Sequence, residues 1–440
     1  MKIVHVNTQD CVGGAARAAY RLHDGLQRLG QDSRMFVVTK VSQDPAVVRF
    51  EPSKQWGARI LRALRRARIT WAAGRKSDVS PLGHSMISDD RSVYSAEPWY
   101  QCPEADLIHL HWVASFVDYG TFFRLLPKSI PLVWTLHDMN PFTGGCHYDT
   151  GCGRFAEHCG LCPQLGSRKQ NDLSRQIWRR KRRAFQLLTP DRLHIVTPSK
   201  WLGEQLCQSS LLSRFPLSVI PYGLDTEVFQ PRNRRVMREA LGISIHAKVV
   251  LFVADGANDP RKGFKFLASA LEGAESHLEI ALLSLGQGKP AEFRRFPHVH
   301  VETIQDDRLL SFIYSCADVF VAPSLQDNLP NTVLESMACG TPVVGFRAGG
   351  IPEAIHDGKT GLLAAVHNVE DLRRAVLELL GHDQRREEMS QTCRRLALEE
   401  YRLETQASRY LNLYRELVGK AGEQSSTTTN SRESGFAKMC

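Results

Sequence analysis

The sequence predicts an α/β chain with two doubly wound parallel sheets facing each other across a cleft. Short apolar runs of strand length alternate with longer segments of helical period from Lys2 to Leu417. The alternation is interrupted at residues 219–231, where Pro221, Gly223 and Pro231 mark a boundary at which one domain can close on the other. A length of 440 residues has room for two or three domains. The expected division is residues 1–218, a linker at 219–231, residues 232–400, a helix at 401–420 that crosses back to the first domain, and a polar, Ser/Thr-rich disordered tail at 421–440.

Composition narrows the classes. No run of eighteen apolar residues occurs, which excludes an ordinary membrane-spanning helix. Met1-Lys-Ile-Val-His-Val-Asn7 is too short an apolar run for a signal peptide and has polar residues directly after it. A cytoplasmic protein is expected, and its eleven cysteines are then thiols or metal ligands rather than a disulfide framework. A formal charge of +9 points to an anionic partner without identifying it.

Lys2 to Asn7 predicts a first buried strand, followed by the loop Cys11-Val-Gly-Gly-Ala and a helix over Ala16–Leu29. Gly13 and Gly14 either let a ligand approach the backbone or simply make a tight turn. Arg34–Thr39 predicts the next strand. Residues 53–76 change character: Trp56, Ile60, Leu64, Ala67 and Trp71 share one helical face, and Arg59, Arg62, Arg65 and Arg66 fall on the other. That pattern suits either an anionic membrane surface or an apolar face packed on the domain with solvated arginines.

Asp106–Leu110 and Leu132–Leu136 predict two more strands, each ending in polar chemistry: His109-Leu-His111 and His137-Asp138. C-terminal strand ends are where open α/β sheets bind ligands. His109 also reads as a buried, structurally satisfied histidine. Cys146, Cys152, Cys159 and Cys162 cluster in a glycine-rich loop at 144–165, with a CxxC pair at the end. Four thiolates can close a structural zinc site; free thiols, a disulfide or redox chemistry are the alternatives. Arg175–Leu188 predicts a basic helix. No nucleic-acid module is present, so its arginines read as a solvated face or a second membrane contact.

After the linker, Lys248–Ala254 predicts a strand leading to Pro260-Arg261-Lys262-Gly263. Glu279–Leu285 and His298–Glu302 follow. Asp318–Ala322 is a short apolar strand closed by Pro323, and Pro330 opens a helix, where a missing N–H costs least. That helix ends at Gly340; Pro342–Phe346 and Leu362–Ala364 are later strands, and helices fill 368–418. Amides at Asn331, Thr332 and Val333 would suit a phosphate at the helix start. Asp327 before the helix and Glu335 one turn into it bracket that point, an arrangement able to hold phosphates and hydroxyls together.

Asp327 through Glu335, then Ser-Met-Ala-Cys-Gly-Thr-Pro-Val-Val and Gly-Gly-Ile-Pro-Glu353, resembles the donor-site signature of retaining glycosyltransferases of family four, with the GT-B arrangement of two Rossmann-like domains. The first acid of that signature is usually Glu; here Asp327 is one methylene shorter. The resemblance implies roles. Lys262 and Arg261 neutralise a donor diphosphate, Glu335 binds ribose hydroxyls, and Asp327 and His137 position the donor sugar. Gly13 and Gly14 lie near donor phosphates and acceptor. It further implies a lipid-linked or oligosaccharide acceptor in surface polysaccharide assembly, attachment to the inner face of the plasma membrane through 53–76, and transfer without a catalytic metal. A nucleotide-sugar epimerase of the same fold, a phosphorylase needing pyridoxal, and a non-catalytic membrane or nucleic-acid binding component are the rival readings.

Overall fold

The computed structural model describes residues 1–73, 87–256, 258–288 and 295–433. The chain forms two compact units, one of residues 1–198, 203–220 and 406–440, the other of residues 199–202 and 221–405. Each is a parallel sheet between helices.

The first unit contains β1 (Lys2–Gln9), β2 (Asp32–Thr39), β3 (Val47–Arg49), β4 (Leu107–Leu110), β5 (Leu132–Thr135), β6 (Leu193–Thr197) and β7 (Leu217–Val219), in the order β3-β2-β1-β4-β5-β6-β7. The three-residue strands β3 and β7 were not legible as strands in the sequence, since an edge strand that short has no period to read. β4 (LIHL) and β5 (LVWT) are buried along their whole length, as strands covered on both faces must be. Strand order reverses between β1 and β4, whose register sets His5 beside His109. The core gathers Ile3, Leu22, Leu107, Val133 and Val196 with Ala407, Tyr410, Leu411 and Tyr414 of the last helix. That helix, Leu403–Glu433, continues into the stretch expected to be a disordered tail. Extending a formed helix adds one hydrogen bond per residue ordered, so polar residues can prolong it. Residues 434–440 lie outside the described set.

The helix at Trp56–Ala73 faces opposite to the packed arrangement weighed from its sequence. Arg62 meets Glu97 at 2.8 Å and Arg65 meets Asp118 at 3.0 Å. Trp56 is 77% exposed, Leu64 63% and Trp71 84%. Two ion pairs therefore hold Arg62 and Arg65 against the unit, while Arg59 and Arg66 are exposed and the indoles face outward. Residues 74–76 of the predicted helix lie outside the described set. No helix among the described residues is long and apolar enough to cross a membrane.

The second unit contains β8 (Lys248–Gly256), β9 (Ile280–Gln287), β10 (His298–Val301), β11 (Val319–Ala322), β12 (Val343–Phe346) and β13 (Gly361–Ala364), in the order β10-β9-β8-β11-β12-β13. Its switch point lies between β8 and β11, so the loops that leave those two strands open side by side. Buried Asp318, immediately before β11, accepts from Arg238 at 2.8 Å, Arg234 at 2.9 Å and the Val249 amide at 2.7 Å. Its charge is thereby matched at the joint between the central strands.

Candidate functional site

The loop after β8 ends in a 3₁₀ turn, Pro260–Lys262, capped by Asp259, whose carboxylate accepts from the Arg261 amide at 2.9 Å. The loop after β11 runs beside it. The Leu325 amide donates to Arg261 O at 2.8 Å, and Arg261 Nη1 donates to Gln326 O at 3.0 Å. Gly263 is required at this junction on two grounds: its φ is +75°, and a Cβ there would sit 1.9 Å from Pro323 O.

These contacts bring Lys262 Nζ to 2.6 Å from Asp327 Oδ2, with Arg261 Nη1 at 3.3 Å from the same oxygen. Asp327 is buried. Burial would raise its carboxyl, but the charges of Lys262 and then Arg261 outweigh it and hold Asp327 well below the usual carboxylate range. Gly349 and Gly350 close the other side. The Gly350 amide donates to Asp327 O at 2.9 Å, and Cβ atoms at the two glycines would fall 1.9 Å and 2.0 Å from the carbonyls of Asp327 and Asn328.

Glu335 lies in the helix Asn331–Ala338 and is buried. Tyr314, from the helix Asp307–Cys316, donates its hydroxyl to Glu335 Oε2 at 2.8 Å. Asp327 and Glu335 thus have different supports, two cations for one and a phenol for the other. Tyr314 was not singled out from the sequence; nothing local marks a tyrosine as the partner of an acid 21 residues on. Of the three amides expected to meet a phosphate, Val333 already donates to Pro330 O at 3.1 Å. This corrects the expectation for Val333: the first helical turn is tight enough to use its N–H internally. Asn331 and Thr332 stand ahead of it at the helix start.

In the first unit, Gly13 takes φ +88° and a Cβ there would meet nothing within 4 Å. Gly14 begins the helix Gly14–Arg28. The glycine at 13 is therefore needed for backbone conformation, with open space above it. His137 follows β5 and is buried; burial pushes its imidazole down to about 4, so it is neutral at physiological pH. Its ring lies in a row, His5 Nδ1 to His111 Nε2 at 2.9 Å and His111 Nδ1 to His137 Nε2 at 3.1 Å. Asp138 turns the other way and meets His147 Nδ1 at 2.6 Å, Trp112 Nε1 at 3.1 Å and the Asn140 amide at 2.8 Å. His109 is the satisfied histidine of the blander reading, with Thr135 Oγ1 at 2.7 Å and Tyr414 OH at 2.6 Å.

His5, His109 and His111 are the one set among the described residues whose ligand atoms lie within 4.8 Å of one another. Both nitrogens of His109 and both of His111 are engaged in the contacts above, so a metal there would have to displace them. Cys146, Cys152, Cys159 and Cys162 do not form such a set. All four are free cysteines of one loop, and Cys159 Sγ accepts from the Gly144 amide at 3.0 Å. Burial pushes the Cys159 thiol up to about 12, and its neighbours Cys152 and Cys162 add to the rise.

Residues 12–228 match the model of Glycosyltransferase Family 4, and residues 247–382 match that of Glycosyl transferases group 1. The D-inositol 3-phosphate glycosyltransferase of Corynebacterium efficiens is 30% identical over 66% of this chain and 66% of its own length. Its counterpart in Corynebacterium glutamicum is 31% identical over 40% of this chain and 46% of its own length. The alignments thus span between about half and two thirds of these two relatives. Sucrose-phosphate synthase from Thermosynechococcus elongatus superposes with a TM-score of 0.65 at 18% identity, covering 96% of this chain and 100% of that one. Anabaena HepE in complex with UDP and glucose gives 0.63 at 16% identity, covering 94% and 99%. These structures share the fold of two Rossmann-like domains. With both units matched by models of one kind, the chain belongs to glycosyltransferase family 4.

Proposed function

We propose that this protein transfers a sugar from a nucleoside-diphosphate sugar, with retention of configuration, to a lipid-linked oligosaccharide acceptor at an anionic membrane surface, in surface polysaccharide synthesis. The donor half rests on the second unit. Lys262 and Arg261, held ready by Asp327, take the diphosphate; Asn331 and Thr332 add their helix start; Glu335 binds ribose hydroxyls. Asp327 and neutral His137 hydrogen-bond the donor sugar, and the Gly13–Gly14 loop leaves room for ligand. In the reaction the bond from the anomeric carbon to the phosphate oxygen breaks as the bond to the acceptor oxygen forms on the same face. The acceptor's proton passes to the departing phosphate, and the cations stabilise the charge left there.

The observation that carries the acceptor half is the outward apolar face of the helix Trp56–Ala73. Two indoles and Leu64 stand in solvent on the same helix as exposed Arg59 and Arg66, which is what insertion into an anionic headgroup layer needs. The double variant Trp56→Ala/Trp71→Ala should bind vesicles containing anionic phospholipid at least about 10-fold more weakly in cosedimentation, since each indole adds on the order of 1.5–3 kcal/mol of transfer free energy. It should also lose transfer to a membrane-borne acceptor while still turning over a soluble one. Unchanged vesicle binding would sink the membrane assignment.

The cysteine loop is proposed to hold a structural zinc ion, which would draw together four sulfur atoms that the structure does not gather within 4.8 Å of one another. Its four cysteines lie within 17 positions of one another, and a glycine amide already points at Cys159. Purified protein should carry about one zinc per chain, bound as thiolates. Cys159→Ser/Cys162→Ser should lose it and melt at least about 5 °C lower. Absence of zinc from protein purified without chelator would dismiss the site.

A further inference from the structure

Three imidazoles run in line through the first unit. His5 sits in β1, His111 just after β4 and His137 just after β5. These strands are neighbours in the sheet, so the row crosses it obliquely, from the middle of β1 to the C-terminal ends of β4 and β5. Fractional exposure rises along the row: 0% at His5, 2% at His111 and 8% at His137. The row therefore starts in sealed interior and ends at the residue proposed to meet the donor sugar.

Each nitrogen–nitrogen contact needs one proton, and a neutral imidazole carries one. With three neutral rings and two contacts, only two arrangements are complete. In one, the Nδ1–H of His5 donates to His111 and the Nδ1–H of His111 donates to His137, leaving the third proton on His137 Nδ1. In the other every proton sits on Nε2, and His5 then holds an N–H at Nε2. Among the described residues, His5 Nε2 is buried with no hydrogen-bond partner. A buried N–H with no acceptor costs more than a lone pair with no donor, and such orphans are rarely kept. The first arrangement wins.

We propose that His5 and His111 are positioning residues that lock His137 as its Nδ1–H form, so that it acts on the donor sugar as a hydrogen-bond donor and not as a base. The inference rests on the role proposed above for His137. It also explains why a histidine interrupts the apolar run Ile3–Val6 of the first strand. The neutrality of the row follows from burial, which holds His5 and His111 well below the ordinary imidazole range. A metal on His5, His109 and His111 is the competing use of these rings.

The test is nitrogen NMR of the full chain labelled in its histidine rings, with single His→Leu variants for assignment. In the unsubstituted protein His137 should carry its proton on Nδ1. In His5→Leu the row has lost its first donor, His111 can turn its proton about, and His137 should show both forms; kcat should fall on the order of 10-fold, with a smaller change in donor KM. A proton on Nε2 of His137 in the unsubstituted protein overturns the lock. So does an unchanged His137 signal in folded His5→Leu, or metal at about one per chain bound to the His5 and His111 nitrogens. The spectrum of the unsubstituted protein decides the question even if His5→Leu does not fold. Full activity in His137→Ala is a different failure: it removes the donor-sugar role whatever the ring protons show.

Discussion

Glu335→Gln should lower kcat/KM by at least about 100-fold while leaving the melting temperature nearly unchanged. The substitution keeps an amide oxygen where Tyr314 now donates at 2.8 Å, so the buried hydrogen bond survives. What is lost is the charged acceptor for the ribose hydroxyls. A site built to bond hydroxyls loses a factor of about 10² or more when that bonding is spoiled, because buried polar groups are left mismatched. Tyr314→Phe makes the complementary test: Glu335 keeps its charge but loses its support, and a drop of about 10-fold is expected. Initial rates with a panel of nucleotide sugars, together with calorimetric melting, measure both. Wild-type turnover in folded Glu335→Gln would remove the basis for the donor site. Release of nucleoside diphosphate without acceptor would instead favour the epimerase reading.

The second large effect is expected at Lys262. Lys262→Met strips buried Asp327 of its nearest cation and leaves Arg261 at 3.3 Å. Removing one partner of a buried pair is costly because the other charge stays buried, and about 3 kcal/mol of stability should go, the lower end of the usual cost because Arg261 still faces Asp327. Donor affinity should fall as well, since a diphosphate loses a cation. The double variant Lys262→Met/Asp327→Asn separates the two effects: neutralising both groups should restore much of the stability and none of the activity. pH gives an independent check. Asp327 has a folded pKa below its unfolded value, so its contribution is complete above about pH 4 and is lost as pH falls through the lower folded value. The stability gap between wild type and Lys262→Met should therefore be widest near neutrality and narrow in acid. A gap that stays constant down to the onset of acid unfolding would argue against the ion pair.

Much of the fold was legible because strands such as Val319–Ala322 and Lys248–Gly256 are short, apolar and punctuated, and those properties are local. The loop between Pro323 and Pro330 was legible for the same reason. The helix at Trp56–Ala73 shows where local reading stops. Its two faces were plain in the sequence, but which one meets the protein depended on Glu97 and Asp118, far along the chain. Val333 shows a smaller limit, because the tightness of a first turn is not written in residue type.

By itself, then, the sequence determined the alternation of elements, the acids and cations offered at strand ends, and the presence of histidines where apolar residues would be ordinary. Strand order decided the rest. Placing β8 beside β11 set Lys262 against Asp327 across 65 residues, and placing β1, β4 and β5 side by side lined up His5, His111 and His137. Pairings of that kind depend on which strands become neighbours, which is settled by the packing of whole sheets and leaves no mark within any one segment.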